Sequence, residues 1–396
     1  MVRSMGPNNA AAMRNQNRLR LLRLLRRHPY SRADLARRTG LSRAAIGLLV
    51  DQLLEKQMLL EGAPRGQGVG RPSVSLAYNP RLGYCLGIDI SRSGYSLGIV
   101  DFAGNVGARV HQPLNLELPY QRTLEHMEAE LRGLVANSAP AGVLLGLGIT
   151  APGPLDVKNG VILSPPNLGS WHNVEIAKFF TERLGCLVLL ENIANALALA
   201  EKSFGLGREH ETFLQLVVDS GIGAGLILNG ELTKGATGFG NEFGHISLAA
   251  DGPLCSCGNR GCFELYASIP NLVATVGRDH PELSDWGQII SLAKAGHPPA
   301  KGAVEREASY LAALLVTAVN ILDLPVVVLC GEIGPEAIDL RQSISAKVNS
   351  QVISRGSRQV SILQSGLEAS PQVLSSANLV VEHFLGGRGP LWKSLV

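Results

Sequence analysis

Cys255, Cys257 and Cys262 fall within eight residues of a glycine-rich turn, and His245 lies ten residues before the first of them. Three thiolates and one imidazole make a complete soft donor set for a four-coordinate Zn²⁺, the pattern of a structural site. The alternative is that these are small buried cysteines that merely fall together. A closed site of this type performs no reaction by itself; it holds a turn in one shape, here HISLAADGPLCSCGNRGCFE. Cys85, Cys186 and Cys330 sit singly in apolar segments, which indicates a reducing cytoplasm rather than a disulfide framework.

A chain of 396 residues is too long for one ordinary core, so two or three domains are expected. With 45% hydrophobic and 17% charged residues, it reads as a well-buried globular protein, and 45 glycines suit an α/β fold with many tight turns. No apolar run approaches the roughly 18–20 residues that span a bilayer. Arginines interrupt every leucine pair between Leu19 and Leu25, so no signal peptide is expected and the chain is placed in the cytoplasm. The net charge of +3 hides an asymmetry: residues 1–80 hold 14 Lys and Arg against 4 Asp and Glu, and the remainder 22 against 29. Thirteen of those 14 cations are Arg, whose planar fork suits phosphates and base edges. A nucleic-acid partner is therefore expected for the first part only.

Residues 1–80 read as a winged helix-turn-helix. A leucine-rich first helix ends at His28-Pro29, and Ser31-Arg32-Ala33-Asp34 has the form of a capping box opening a second helix that Gly40 closes. Ser42 starts a third helix, with Ile46, Val50, Leu53 and Leu54 on one face. Its first turn carries Ser42, Arg43 and Ala44, suited to base edges in a major groove. Arg32 is counted with them as a DNA contact. MLLEG and SVSLAYN read as the strands of a hairpin wing, with Arg65 and Arg71 near its glycine-rich tip. The alternative is a trihelical protein-binding module.

From about residue 82 the pattern becomes strand-rich, in the order ββ(β)αβα, and it recurs after residue 210. Helices are expected at about 118–136 and 306–322, the latter leading into the buried strand PVVVLCG. Two such lobes indicate an actin-like ATPase (ribonuclease H-like) architecture with a cleft between them. The lobes are expected at 81–200 and 201–396, with the last helix able to return to the first.

GITAPGPLD, GVILSPPNLGSW, LLENIANALALAEKSFG, DSGIGAGLILNGEL, GFGNEFGHISL and CSCGNRGCFELYAS occur in this order over about residues 85–270. Together they resemble the ROK family of repressors and sugar kinases, and the helix-turn-helix in front is similar to that of its repressor branch. The resemblance implies that His245, Cys255, Cys257 and Cys262 bind a structural zinc. It also implies that Asn192, Glu242, Glu264 and the other ring nitrogen of His245 hold a sugar. Glu242 and Glu264 could instead be supporting or surface residues, and Asn192 could cap the helix that follows it.

Two departures from the family's kinases bear on activity. Where they carry the aspartate that accepts the sugar hydroxyl's proton, this chain has Ile193; general-base help is commonly worth about 10²–10⁴-fold. Where they carry a glycine-rich first phosphate loop, it has Asp89-Ile90-Ser91-Arg92-Ser93. The second loop, 220–225, is better preserved, and Cys330-Gly331-Glu332-Ile333-Gly334 keeps part of the adenosine-side pattern. ATP binding and catalysis are therefore not expected. The leading expectation is a DNA-binding regulator of carbohydrate metabolism that senses a sugar, as a homodimer or homotetramer on double-stranded operator DNA. The alternatives are a DNA-binding protein that keeps kinase activity, and a regulator controlled by a protein partner.

Overall fold

Arginine-rich though it is, the N-terminal segment has a core because leucines recur on one side of three helices. Ala10–Arg27 buries Leu21, Leu22 and Leu25; Arg32–Thr39 buries Leu35; Arg43–Glu55 buries Ile46, Leu49, Val50 and Leu53. Leu49 takes the place expected for Leu54, which is half-buried. The reciprocal cap is formed: the Asp34 N–H donates to Ser31 Oγ and the Ser31 N–H to Asp34 Oδ2, each at 3.2 Å. Gly40 then closes the second helix in the left-handed conformation. Strands Leu59–Arg65 and Ser73–Tyr78 pair antiparallel, and Tyr30–Ser31 adds to the latter's free edge. The computed structural model describes residues 10–65, 73–166, 168–334, 336–367 and 371–387. The expected wing tip with Arg71, and the side chain of Arg65, lie outside the described residues.

The chain divides into two units. One comprises Met1–Thr150, Glu175–Glu191 and Ala369–Val396; the other comprises Ala151–Val174 and Asn192–Glu368. Relative to the lobe boundaries expected from sequence, residues 151–174 and 192–200 thus fall in the second unit. The reason for the latter is packing. Helix Ile193–Phe204 presses onto strand Ile222–Leu228, where a Cβ on Gly225 would come within 2.4 Å of the Ala194 carbonyl oxygen.

The first unit contains a five-stranded sheet in the order Val188–Asn192, Val143–Ala151, Gly83–Ile90, Gly94–Asp101, Val106–Pro113. The last three form an antiparallel meander, and Gly83–Ile90 runs parallel to Val143–Ala151. The second unit repeats the plan: Phe213–Val218, Ile222–Leu228 and Glu231–Thr233 meander, while Val326–Gly331 and Ser361–Gln364 add in parallel. Two sheets of the same meander-then-parallel order are the duplicated core of the actin-like ATPase fold.

The C-terminal helix Pro371–Leu385 lies directly on the first sheet, where a Cβ at Gly148 would stand 1.8 Å from the Ser376 carbonyl oxygen. The same helix receives the N-terminal module. Arg26, on the module's first helix, donates to Glu382 at 2.8 Å and to Asn378. The Tyr78 hydroxyl donates to the Leu22 carbonyl, and the Tyr78, Phe102 and Phe384 rings stack in series at 5.1 and 5.5 Å.

In the second unit, the helix expected at 306–322 begins eight residues earlier, as Pro298–Leu322. Pro-Pro reads as a turn in sequence, but proline is well tolerated in the first turn of a helix, where its missing N–H has no intrahelical partner. The His297 ring caps that end by accepting from the Ala300 N–H.

Glu307 is fully buried on this helix, and neither carboxylate oxygen has a hydrogen-bond partner among the described residues. Burial pushes its pKa well above the ordinary carboxylate range. A folded pKa above the unfolded one means that stability is intact below the unfolded pKa and is lost as pH rises toward the folded one. Each unit of separation corresponds to about 1.4 kcal/mol. Glu307→Gln is therefore expected to raise the melting temperature more at pH 8 than at pH 5. Equal shifts at both pH values would show that the carboxylate has found a partner.

Candidate functional site

The four residues expected to hold a metal converge. The ligand atoms of His245, Cys255, Cys257 and Cys262 all lie within 4.8 Å of one another. Cys257 Sγ and Cys262 Sγ are 3.7 Å apart, and Cys255 Sγ is 3.8 Å from His245 Nδ1. Tetrahedral Zn–S bonds of about 2.3 Å place sulfurs roughly 3.8 Å apart, so the donor set fits Zn²⁺ in chemistry and in spacing. Local hydrogen bonds shape the turn. The Cys255 N–H donates to the Asn259 carbonyl at 2.8 Å, and Asn259 Nδ2 donates to the His245 carbonyl at 3.0 Å. Gly261, at φ +64°, has no room for a side chain, since a Cβ would stand 1.8 Å from the Ala249 carbonyl oxygen. Burial raises the Cys255 thiol, but hydrogen bonds from the Cys257 backbone and the neighbouring thiols outweigh it and bring the pKa down to about 7.

Nδ1 of His245 faces the thiols, which leaves Nε2 on the opposite edge of the ring. Glu242 is an electrostatic neighbour of both His245 and Glu264. Desolvation raises the Glu242 pKa, His245 opposes the rise and Glu264 adds to it. One Glu264 oxygen accepts from the Ile222 N–H at 3.1 Å, which fixes its orientation.

Asn192 caps helix Ile193–Phe204 by accepting from the Ala194 N–H at 2.9 Å through Oδ1. Its Nδ2 points another way. A Cβ on Gly153 would stand 3.6 Å from Asn192 Nδ2 and 3.7 Å from Glu242 Oε1, so capping does not withdraw Asn192 from the group. Gly153 was not singled out from sequence; its signal was the A-P-G-P run.

Ile193 packs against the apolar cluster of Ala194, Leu197, Val217 and Cys330. In both loops that resemble phosphate loops, some of the backbone donors are already engaged. Ser91 donates its N–H to the Gly94 carbonyl at 2.8 Å and its Oγ to the same oxygen at 3.0 Å. In the second loop the Ser220 N–H bonds Asp219 Oδ1 at 2.6 Å, and the Ile222 N–H bonds Glu264. Glu332 is raised in pKa by burial and by the carboxylate of Asp219, with which it shares a hydrogen bond. A pair of acids is a poor neighbour for phosphate. The close approach of helix Ile193–Phe204 gives Gly225 a packing role independent of any nucleotide.

On the N-terminal module, Ser42, Arg43 and Ala44 are exposed at the start of the third helix. Ser42 Oγ accepts from the Ala45 N–H at 3.2 Å, so it is the helix cap as well as a candidate contact. Arg43 has no ion-pair partner among the described residues. Arg32, expected as a DNA contact, pairs with Asp51 at 2.7 Å and Glu61 at 3.0 Å, tying the second helix to the third and to the wing, and its side chain stays 39% exposed. Leu48, 58% exposed on the third helix, was missed from sequence. A helical wheel finds it, one turn beyond Ala44 and outside the buried face. Among the described residues, no helix is long and apolar enough to cross a membrane.

A xylose repressor from Bacillus spizizenii is 31% identical over 370 residues, covering 93% of this chain and 95% of that protein. A glucokinase from Thermotoga maritima is 28% identical over 317 residues, covering 98% of the kinase but 76% of this chain. Among solved structures, a ROK family transcriptional regulator described as a homologue of the Escherichia coli MLC protein has a TM-score of 0.77. It is 22% identical, over 97% of this chain and 98% of that one, and so agrees in fold. The family model described as the ROK family matches residues 85–383, and the chain belongs to that family.

Proposed function

We propose that this chain is a sugar-responsive transcriptional repressor that binds operator DNA through its N-terminal module and does not phosphorylate the sugar it senses. The observation that carries the reading is the pairing, on one ROK chain, of an arginine-rich winged helix-turn-helix with an apolar Ile193 where a general base is needed. The xylose repressor's alignment over 93% of the chain supports it.

Asn192, Glu242, Glu264 and His245 present an amide, two carboxylates and an imidazole, a set suited to the hydroxyls of a pyranose. Zn²⁺ held by His245, Cys255, Cys257 and Cys262 would supply no reaction chemistry; it would cross-link the turn. His245, bonded through Nδ1, then keeps its proton on Nε2 as a donor to a hydroxyl. Arg43 and Ala44 meet base edges, while Arg65 and Arg71 of the wing reach the minor groove or phosphates. A sugar changes operator affinity only if it binds the DNA-competent and DNA-incompetent states unequally. An operator with two-fold symmetry calls for a homodimer or homotetramer.

Selection of binding sites from random DNA by the purified protein, with and without a panel of sugars, tests the reading. A two-fold-symmetric site whose retention changes with one sugar is expected. Arg43→Ala should weaken binding to that site by about 1–3 kcal/mol. In a coupled assay with ATP and the same sugars, turnover above about 1 s⁻¹, within the ordinary enzyme range, would overturn the non-catalytic assignment.

A further inference from the structure

The third helix of the N-terminal module, Arg43–Glu55, carries two features that the fold does not explain. Leu48 is 58% exposed although the helix buries Ile46, Leu49, Val50 and Leu53 on its other side. Gly47 sits in the helix interior, where glycine disfavours helix relative to alanine. A Cβ there would meet nothing within 4 Å, so no contact inside the protein requires its absence. Ala44, Gly47 and Leu48 lie three and four residues apart, hence on one face. Arg43 stands at the head of that face, and the Asp51 carboxylate at its far end is neutralised by Arg32.

An exposed leucine beside a bare backbone, on the most basic part of the chain, fits a partner that is polyanionic outside and apolar at one point within. B-DNA is such a partner, because the thymine C5-methyl is the apolar group in its major groove. Residues 1–80, with 14 basic and 4 acidic side chains, supply the charge complementarity. Resting on the DNA-binding reading above, we infer that Leu48 is a specificity-determining residue that selects thymine through its methyl group, with Ala44 beside it. Gly47 lets the helix approach the base edges closely. Four residues of helix advance about 6 Å, close to two base-pair steps of about 3.4 Å. Ala44 and Leu48 therefore meet methyls about two base pairs apart, next to the base that Arg43 reads.

The test uses the site chosen by selection from random DNA and replaces its thymines singly with uracil, which removes the methyl and nothing else. Wild-type protein should lose about fourfold in affinity for each contacted methyl removed. Leu48→Ala should bind the thymine site more weakly and be indifferent to uracil at one position, whereas Arg43→Ala should keep that sensitivity. Gly47→Ala should fold at least as stably as wild type, since alanine favours helix, yet bind the site more weakly. A selected site at which no uracil matters, or a Leu48→Ala protein with full uracil sensitivity, overturns the inference and leaves DNA binding standing. A Leu48→Ala protein that changes its association state without changing methyl sensitivity also overturns it, in favour of contact with a second copy. Failure to select any site overturns the DNA-binding reading, and this inference with it.

Discussion

Elemental analysis is expected to find about one Zn²⁺ per chain in wild-type protein and almost none in Cys257→Ala protein. Cys257 is the informative position because it is the exposed thiol of the three, while Cys255 and Cys262 are buried. Truncating it removes a ligand without opening a cavity, so any loss of order reports the metal and not the core. The effect should be large, since structural zinc sites in small peptides bind with about 10–16 kcal/mol of apparent free energy at neutral pH. In this larger protein that energy acts locally, on a turn otherwise held by a few backbone bonds and Asn259. Amide exchange should accelerate across 245–264 and stay slow in the strands of the first sheet. Sugar response should fall, since His245 and Glu264 flank the loosened turn, while operator binding without sugar should persist. Re-addition of Zn²⁺ after chelation should restore wild type and not the variant. A Cys257→Ala protein that retains one zinc per chain would refute the ligand set.

Arg26→Ala should destabilise the first unit by about 1–3 kcal/mol, the usual cost of removing the donor to partly buried polar groups. Its side chain is 5% exposed and that of Glu382 31% exposed, so the substitution removes a buried donor from a half-buried carboxylate on the sheet-bound helix. Asn378 loses its donor at the same time. A lower melting temperature should be accompanied by faster amide exchange in 10–65, with the second unit unaffected. Following Arg26→Ala with Glu382→Leu should recover much of the loss, because an apolar pair leaves no uncompensated charge. Wild-type stability in Arg26→Ala protein would show that the module is held by the Tyr78–Phe102–Phe384 stack alone.

What the sequence by itself determined were features whose cause is local. The four residues that could hold a metal lie within eighteen residues of one another, and spacing and donor type alone brought them to notice. Ser31 and Asp34 were legible because a capping box closes over three residues. The repeat of strand patterns likewise announced the duplicated sheets, since period and turn residues act over short stretches.

Only the tertiary structure decided which side chains meet across long separations. Asn192 and Glu242, fifty residues apart, come together at Gly153 through the packing of a helix on a sheet. Arg32, expected as a DNA contact, also pairs with Asp51 and Glu61, 19 and 29 residues away. Arg26 finds its partners 352 and 356 residues on. No periodicity encodes such pairs, because a long cationic side chain is equally compatible with solvent, DNA or a carboxylate until the fold places one within reach. The glycines of the second loop teach the same lesson: a phosphate cradle and a close helix contact call for the same residue, and in Gly225 it is the helix that the missing side chain admits.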